Sequence, residues 1–347
     1  MIRGGYKMRS HTSTTGFSGS YMQCIRELAV EDPGEGGLGS EDAKRLFGAM
    51  LDGGVPELEL GGLLVALSMK PLPLSVLLGF GDALAEHVME LHAPAGERRP
   101  IVIPAYGGAL RQSNLTPLLA LILQRLGIPV LIHGTLEGHG RIATAYVLRE
   151  LGVLPCTTLA QVQVALDRDN LAFAPTGVLA PGLAQLLALR RRIGLDGAGL
   201  LLARMIDPFR GAGLRMVSSD RAEELDLLRA LLLASGDSAL LMTGTEGEVF
   251  VNPRRRPCIE LIAEGAATRL FGEENLHEDQ VVQELPVSEI DPRATAALVR
   301  DMLDGTAKLP LPLVNQLACC LFGCGYTSDF NQAKAIIAVE SRSMAAA

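Results

Sequence analysis

Apolar residues recur every three or four positions through the first quarter of the chain, which is the spacing of one helix face. Ser40 is well placed to cap the first clear helix, because Glu41 and Asp42 follow it and acidic residues suit a helix N-terminus. The pattern predicts a small all-helical domain over residues 21–93. Its clearest segments are AKRLFGAMLDGG, LELGGLLVALSMK and LSVLLGFGDALAEHVMEL.

The pattern changes after the linker APAGERRP to short, fully apolar runs that alternate with helical segments. IVIPA and IPVLIHG are predicted as strands, and each precedes a helix, the first over 116–126 and the second near 143–151. Strands without polar positions are typical of parallel β-α units, whose sheets are covered on both faces. Residues 100–347 are therefore predicted as a larger α/β domain with a central, mainly parallel sheet flanked by helices. Some of these helices can also pack on the helical domain.

The last third of the chain and its first 20 residues also show recognisable patterns. ALLMTG is predicted as a further strand, EVFVNP as a second strand or an extended arm, and PLVNQLACCLFGCG and FNQAKAIIAVES as the closing helices. Residues 1–20 are rich in Ser, Thr and Gly and lack the apolar run of a signal peptide or a membrane span. We expect them to form a disordered tail, with Met22 as an alternative start.

Two glycine-containing segments fall at the carboxyl ends of neighbouring predicted strands, where ligands gather in parallel sheets. Gly107 and Gly108 precede a helix, so their backbone amides and the helix dipole can hold a phosphate, although a bare tight turn fits equally well. His133 and Gly134 are predicted as the second turn, with His133 either a polar contact in the cleft or a structural residue. The candidate phosphate or ligand cleft comprises Gly107, Gly108, Asn114, Thr116, His133 and Gly134.

Composition narrows the classes of partner. The net charge of −8 argues against attraction of the whole surface to nucleic acid or anionic membranes, so such binding needs a locally basic face. The six cysteines have no CxxC spacing, and the chain is long enough to build a core without disulfides. We therefore expect reduced thiols in the cytoplasm, no membrane and no metal site. Cys319, Cys320 and Cys324 are expected to pack inside a helix.

Arginines are grouped in two places. Residues 190–215 contain six arginines against two aspartates, and residues 254–256 are three arginines with no acid beside them. On composition alone, these groups indicate a solvated surface with arginine stems packed on apolar neighbours.

The order and spacing of several segments resemble anthranilate phosphoribosyltransferases and their relatives in glycosyltransferase family 3. The resemblance runs from about residue 21 to 341. It implies a helical dimerisation domain, a homodimer and the α/β domain of the nucleoside phosphorylase and phosphoribosyltransferase class. The segments that carry it are SEDAKRLFGAMLDGGVPELELGGLLVAL, YVLRELGV, LAFAPTGVLAPGLAQLLALRRRIG and LVNQLACCLFGCG.

The motifs that carry the chemistry of these enzymes align without gaps but are mostly altered. GTGGD is replaced by AYGGA at 105–109, NxST by NLTP at 114–117, and KHGNR by IHGTL at 132–136. The LGxRTxFNxLGPLxNP stretch reads IGLDGAGLLLARMIDP. In EGxDE, whose acids bind the magnesium of phosphoribosyl pyrophosphate, Val249 and Phe250 replace the acidic pair. The resemblance thus implies a catalytically degenerate protein without catalytic residues or a cofactor.

One branch of the family, the YbiB type, is similar in its altered glycine loop followed by NLTPLLALIL, its GIPVLIHG strand and its TGTEGE element. That resemblance implies binding of DNA or RNA without sequence specificity, through arginines that contact phosphates along a homodimer. The candidate arginines are Arg111, Arg141, Arg190, Arg191, Arg192, Arg204, Arg254, Arg255 and Arg256.

Two other functions remain open on the sequence. The first is a phosphoribosyltransferase with an altered acceptor and a rearranged metal site, which would use magnesium and phosphoribosyl pyrophosphate. The second is a sensor that takes a phosphorylated small molecule at the glycine turn.

Overall fold

The computed structural model describes residues 20–29, 38–138, 140–194, 198–282 and 284–344. The side chains of residues 190, 191 and 342–344 are also outside this description. The predicted tail therefore lies outside the described residues, apart from residue 20.

The helical elements of the described residues alternate with strands only after residue 100. The helices are α1 (Tyr21–Ala29), α2 (Ser40–Leu51), α3 (Glu57–Met69), α4 (Leu74–His87), α5 (Thr116–Arg125), α6 (Thr144–Glu150), α7 (Leu159–Asp169), α8 (Thr176–Leu179), α9 (Pro181–Ile193), α10 (Ala198–Ala203), α11 (Ala222–Ser235), α12 (Pro292–Leu303), α13 (Leu311–Gly323) and α14 (Phe330–Met344), with 3-10 turns at Glu278–Gln280 and Val287–Glu289. The strands are β1 (Ile101–Ala105), β2 (Val130–Gly134), β3 (Leu171–Pro175), β4 (Leu214–Ser219), β5 (Ala239–Thr243), β6 (Arg255–Arg256), β7 (Ile259–Ala263), β8 (Ala266–Phe271) and β9 (Glu274–Asn275).

The main sheet has seven strands in the order β3-β2-β1-β4-β5-β7-β8. The first five are parallel, whereas β7 and β8 form an antiparallel hairpin at one edge. Ala105, Gly134 and Pro175 are register partners, so β1, β2 and β3 end side by side. The prediction of a mixed α/β fold with a mainly parallel central sheet is confirmed.

Successive strand residues point to opposite faces of the sheet, and each face packs into its own hydrophobic core. Val102, Leu131 and Val217 belong to a core shared with α1–α4, α7 and α9–α11. Ile103 and Ile132 belong to a second core with α5, α6 and α12–α14. The helical segment before residue 93 therefore covers one face of the sheet together with later helices.

Several local details differ from the sequence predictions. Ser40 is the first residue of α2 and does not cap it, since Gly39 occupies the cap position. His133 and Gly134 are the last residues of β2 and do not form a turn. EVFVNP, predicted as a strand or an extended arm, does not form a strand, and the β7–β8 hairpin was not predicted. Among the described residues, no helix has the length and apolar character needed to cross a membrane.

Helices α2 and α4 cross closely. The rings of Phe47 and Phe80 stack with centroids 4.6 Å apart. A Cβ added to Gly79 would lie 2.1 Å from the Ser40 carbonyl oxygen, whereas one added to Gly81 would meet nothing within 4 Å. The absence of a side chain at Gly79 therefore sets the distance between these helices.

We predict opposite effects for alanine at these two glycines of α4. Gly79→Ala should lower the free energy of unfolding by about 1–3 kcal/mol, because the methyl group forces the helices apart. Gly81→Ala should raise it by up to about 1 kcal/mol, because alanine favours the helix and fits freely. Urea unfolding of both variants measures the difference, and equal stability of the two would contradict the packing described.

Candidate functional site

The carboxyl ends of β1, β2 and β5 meet at one rim of the sheet. The glycine loop (residues 106–112) follows β1 and leads to α5. Gly134 of β2 lies against it so tightly that a Cβ there would be 1.8 Å from the Ala105 carbonyl oxygen. Gly108 has a positive φ of 65°, and an added Cβ would be 2.7 Å from the carbonyl oxygen of Ile142. Both glycines thus permit a close approach of neighbouring backbone.

The glutamate turn (residues 245–248) follows β5 at the same rim. Thr245 and Glu248 each donate their backbone N–H to the other's carbonyl oxygen at 3.0 Å. Glu246 and Gly247 between them have φ angles of 55° and 82°. Positive φ at both central positions is the geometry of a type I′ turn, which Glu-Gly allows because glycine adopts it without steric cost. The turn directs both glutamates towards the glycine loop.

Glu248 is buried against the start of the glycine loop, where its Oε1 accepts the backbone N–H of Tyr106 at 3.0 Å and that of Gly107. Burial raises the pKa of Glu248, whereas the bond from Gly107 and the charge of Arg204 oppose that shift. The other carboxyl oxygen, Oε2, is buried and has no hydrogen-bond partner among the described residues.

Glu246 binds the N–H groups in the second half of the glycine loop. Its carboxylate accepts the backbone N–H of Leu110 at 2.7 Å, of Arg111 at 2.9 Å and of Gln112 at 3.1 Å. Arg141 pairs with the same carboxylate at 2.8 Å and donates to the Gly108 carbonyl oxygen at 3.0 Å. The guanidinium therefore ties together three loops, those after β1, β2 and β5.

The polar residues at the head of α5 are integrated into the fold. Asn114 accepts the N–H of Thr116 at 3.2 Å and donates to Thr144 Oγ1 at 3.0 Å. Ala109 forms an isolated antiparallel bridge with Ile142, which closes the loop after β2 over the glycine loop. Thr116 is fully buried, and its hydroxyl has no hydrogen-bond partner among the described residues.

His133 lies inside the protein beneath the rim. Its Nδ1 is 3.0 Å from the hydroxyl of Tyr106, and Thr176 donates to the Gly134 carbonyl oxygen at 3.0 Å beside them. Burial lowers the pKa of His133 to about 3 and raises that of Tyr106, so both groups are neutral at neutral pH. The Nε2 of His133 has no hydrogen-bond partner among the described residues.

Arg204 is placed in the cleft, and its side chain is only 11% exposed. It pairs with Glu224 at 3.1 Å and donates to the Ser218 carbonyl oxygen at 3.3 Å. Burial favours a higher pKa for Glu224, but the hydroxyl of Ser219 and the neighbouring arginines outweigh burial and lower that pKa. A contact between Arg204 and an outside phosphate would compete with this buried ion pair.

The residues present do not fit the magnesium of phosphoribosyl pyrophosphate. Val249 and Phe250 are buried in the second core, and the Val249 carbonyl oxygen accepts Gln316 Nε2 at 2.7 Å. Glu246 and Glu248 have their carboxylates bound to backbone N–H groups instead. Magnesium requires oxygen ligands that are free to coordinate it. No cluster of three or more acidic, His or Cys side chains suited to a metal occurs among the described residues.

The structure corrects the interpretation of residues 254–256 as a group without acids. Arg254 pairs with Glu284 at 2.7 Å, Arg255 with Glu273 at 3.2 Å, and Arg256 with Glu274 at 2.6 Å. The pairing comes from β9 and the loops near it, which are distant in sequence. Each positive charge of this group is therefore neutralised by a neighbouring glutamate.

The remaining candidate arginines lie in two places. Arg192 is exposed near the end of α9, a helix that contacts α2 and α3; nothing is described of the side chains of Arg190 and Arg191. Arg111 is exposed on the glycine loop. Neither Arg111 nor Arg192 forms an ion pair with a described residue. The structure thus brings Arg111 and Arg141 to the rim, with Arg204 inside the cleft, and keeps residues 254–256 apart as a paired group.

Sequence reasoning missed the role of the glutamates. From the sequence, no role was assigned to Glu246 or Glu248. The Glu-Gly step was the available signal, because glycine at the second central position favours a type I′ turn and a turn places both carboxylates on the adjacent loop.

Comparison with known proteins identifies the family of this chain. No model of a known protein family matches it. It is 38% identical over 306 residues to the uncharacterized protein YbiB of Escherichia coli (strain K12), which covers 88% of this chain and 94% of YbiB. It is 24% identical over 306 residues to an anthranilate phosphoribosyltransferase of Methanosphaerula palustris, which covers 86% and 88%. The chain belongs to the anthranilate phosphoribosyltransferase-like family, on the branch of YbiB.

Solved structures of the family share the fold. The anthranilate phosphoribosyltransferase of Thermus thermophilus superposes with a TM-score of 0.72 at 22% identity, over 94% of this chain and 95% of that one. The Saccharomyces cerevisiae enzyme, solved in complex with PRPP and Mg, gives 0.71 at 13% identity, over 94% of each chain. At these identities the likeness concerns the fold alone.

We predict that His133 makes folding stability depend on pH. The folded protein keeps His133 neutral to about pH 3, whereas the unfolded chain takes up a proton near pH 6.5. Below pH 6.5 the unfolded state therefore binds more protons, and stability falls as the pH falls. Between about pH 7 and about pH 5, His133 should lower the free energy of unfolding of the wild-type protein by about 2 kcal/mol. The variant His133→Asn should not show this decrease.

Urea unfolding at the two pH values measures this difference. His92→Asn is the matched control, since His92 is exposed. An unchanged pH dependence in the His133 variant would show that His133 is not held neutral.

Proposed function

We propose that this protein is a catalytically degenerate YbiB-type family member that binds nucleic acid as a homodimer, without sequence specificity. The observation that carries the loss of catalysis is the occupation of the glycine loop by the chain's own carboxylates. Glu246 and Glu248 together accept five of its backbone N–H groups. A pyrophosphate leaving group at this loop would need the same donors.

The electrostatics of the cleft support this interpretation. Departure of pyrophosphate develops negative charge and depends on cations or fixed donors to stabilise it. Here the donors already face carboxylates, and Arg141 and Arg204 are each paired with a glutamate. A carboxylate beside an incoming phosphate repels it. The cleft therefore lacks the free positive potential that phosphoribosyl transfer needs, and no cofactor is proposed.

Binding of nucleic acid is proposed for the exposed arginines. Arg111 and Arg192 are exposed and unpaired with any described residue, and Arg190 and Arg191 adjoin Arg192 in the sequence. Arginines bind phosphates by charge and by bidentate hydrogen bonds, which gives affinity without reading bases. The aromatic content of 4%, with no Trp, gives little support to a base-stacking platform.

An apolar surface on the helical layer supports the homodimer. Leu58 and Met69 of α3 are 85% and 63% exposed, and Met22 of α1 is 58% exposed. Helices α1 and α3 pack together, and α3 contacts α9. Leu58 and Met69 lie at the two ends of α3, on the same side of the helix by its periodicity, and exposed apolar faces are typical of association surfaces. A second copy bound here would bring the α9 arginines of both copies near one interface.

We also propose that the protein acts in the cytoplasm. All six cysteines are free, and Cys319, Cys320 and Cys324 are buried in apolar surroundings that raise their pKa values. Such thiols are unreactive packing residues and suit a reducing compartment.

We predict that calorimetry separates this function from transferase activity. Wild-type protein should give no binding heat with phosphoribosyl pyrophosphate and magnesium. A single-stranded oligonucleotide should bind and weaken strongly between about 50 mM and about 200 mM salt, because counterions are released. Magnesium-dependent binding of the sugar phosphate would instead indicate a transferase with an altered acceptor. Failure to bind DNA and RNA at low salt would refute the nucleic-acid function.

Two triple variants, which each remove three positive charges, test where the nucleic acid binds. Alanine at Arg190, Arg191 and Arg192 should weaken oligonucleotide binding by about tenfold or more and reduce its salt dependence. Alanine at residues 254–256 should change it little, because glutamates already neutralise those arginines. Equal losses in both would indicate an effect of net charge alone.

We predict that charges on α3 separate the homodimer. Leu58→Lys with Met69→Lys should convert the dimer to a monomer, because two ammonium groups cannot be buried in an apolar interface without partners. Light scattering after gel filtration measures the mass. Leu154→Lys is the control, since Leu154 is 66% exposed and lies between α6 and α7. An unchanged mass in the double variant would place the interface elsewhere.

A further inference from the structure

A cavity lies at the end of the sheet opposite to the glycine loop. It has a volume of about 350 Å³ and opens between α4, α11 and the segment that joins α10 to β4. Arg215, which lines it, is the second residue of β4, so the cavity is at the amino end of that strand. Clefts that bind small molecules measure roughly 300–1,000 Å³, so this cavity has room for a ligand of one or two rings.

Apolar side chains form most of the cavity wall. Leu78 and Leu84 come from α4, and Leu231 comes from α11. Met205 and Ile206 come from the segment after α10. All of these except Leu78 are buried in the core on this face of the sheet. Such a wall suits the hydrocarbon part of a ligand, because contact with it removes apolar surface from water.

Arg215 places a buried charge on this apolar wall, with a side chain only 5% exposed. Its Nη1 donates to the Met205 carbonyl oxygen at 2.8 Å. Its Nη2 forms an ion pair with Asp237 but makes no hydrogen bond with a described residue. A guanidinium has five N–H donors, and a buried donor without an acceptor is costly. Arg215 therefore offers the cavity an unused donor, while Asp237 balances its charge.

The other charges around the cavity favour a cation over an anion. Arg210 is bound to the end of α4, where it donates to the carbonyl oxygens of Ala85 and Val88. The aspartates outnumber the arginines, so a phosphate or a carboxylate is repelled. The charged residues that line the cavity are Asp82, Asp207, Asp237, Arg210 and Arg215.

Asp82 is the carboxylate that is available to a bound cation. It is exposed on α4 and forms neither a hydrogen bond nor an ion pair with a described residue. The charge of Lys44 acts on it, but the Lys44 ammonium pairs with Glu86 at 2.7 Å. The cavity thus combines a carboxylate, an apolar wall and a buried donor.

We propose that this cavity binds a small organic amine whose apolar body carries a hydrogen-bond acceptor. The ammonium group lies at Asp82, the apolar body packs between α4 and α11, and the acceptor takes the unused N–H of Arg215. Tyramine has these three parts and serves as the probe. The site is separate from the cleft and from the arginines of α9, so it goes beyond the proposed binding of nucleic acid and does not depend on it.

The test is calorimetric titration of three probes into the full chain. Tyramine should bind with a dissociation constant of about 1 mM or below. Phenethylamine lacks the hydroxyl group and should bind about tenfold more weakly, because the hydrogen bond to a charged group is lost. The third probe, 4-hydroxyphenylacetate, keeps the ring and the hydroxyl group but reverses the charge, and it should not bind.

Two substitutions at Gly81 locate the site. Gly81 lines the cavity, and a Cβ added to it meets nothing within 4 Å. Gly81→Leu should fill the cavity and abolish tyramine binding, whereas the control Gly81→Ala should bind tyramine as wild type does. Asp82→Asn should weaken tyramine binding about two- to fivefold, the effect of one exposed ion pair.

Folding of each variant is checked by circular dichroism and thermal unfolding. If Gly81→Leu does not fold, Ala85→Leu replaces it, since Ala85 lines the same cavity from an exposed position of α4.

Three results overturn the site: no binding of tyramine at about 10 mM, wild-type affinity in the folded leucine variant, or equal binding of tyramine and 4-hydroxyphenylacetate. Equal binding of phenethylamine and tyramine overturns the role of Arg215. None of these results alters the binding of oligonucleotides, which is measured separately.

Discussion

The hydrogen bonds between two glutamate carboxylates and the backbone after β1 determine the form of the cleft. A loop that leaves a buried strand and enters a helix carries several N–H groups with no partner in either element. In this chain, Glu246 and Glu248 satisfy five of them. Arg141 then balances the charge of Glu246 and joins the loop after β2 to the same assembly. The geometry of three loops thus follows from where two carboxylates are placed.

The cleft holds its charges in pairs at short range. Arg204 with Glu224 and Arg141 with Glu246 are partly buried pairs, in which each group lowers the cost of keeping the other out of water. Glu248 is the exception, because burial raises its pKa while two N–H bonds favour its charged form. The result is a polar cleft whose strongest hydrogen-bond donors, the arginines and the loop N–H groups, bind carboxylates of the protein itself.

The sequence was sufficient for the framework and insufficient for the site. The runs IVIPA and IPVLIHG predicted β1 and β2 because parallel strands buried on both faces admit no polar positions. The β7–β8 hairpin was not predicted, since β8 is mostly exposed and lacks the fully apolar run of the buried parallel strands. Pairing of residues 254–256 with glutamates depends on contacts that only the folded chain creates. The direction of Glu246 depends likewise on two backbone angles.

The burial of Val249 and Phe250 restricts which side chains these two positions accept. Both side chains are in the core on the main sheet, with 0% and 1% exposure. An Asp-Glu pair at these positions in the present backbone would place two carboxylates among apolar neighbours, at a cost of several kcal/mol for each unpaired charge. Acidic metal ligands therefore cannot be introduced at this point of the chain without rebuilding the core that these two side chains fill.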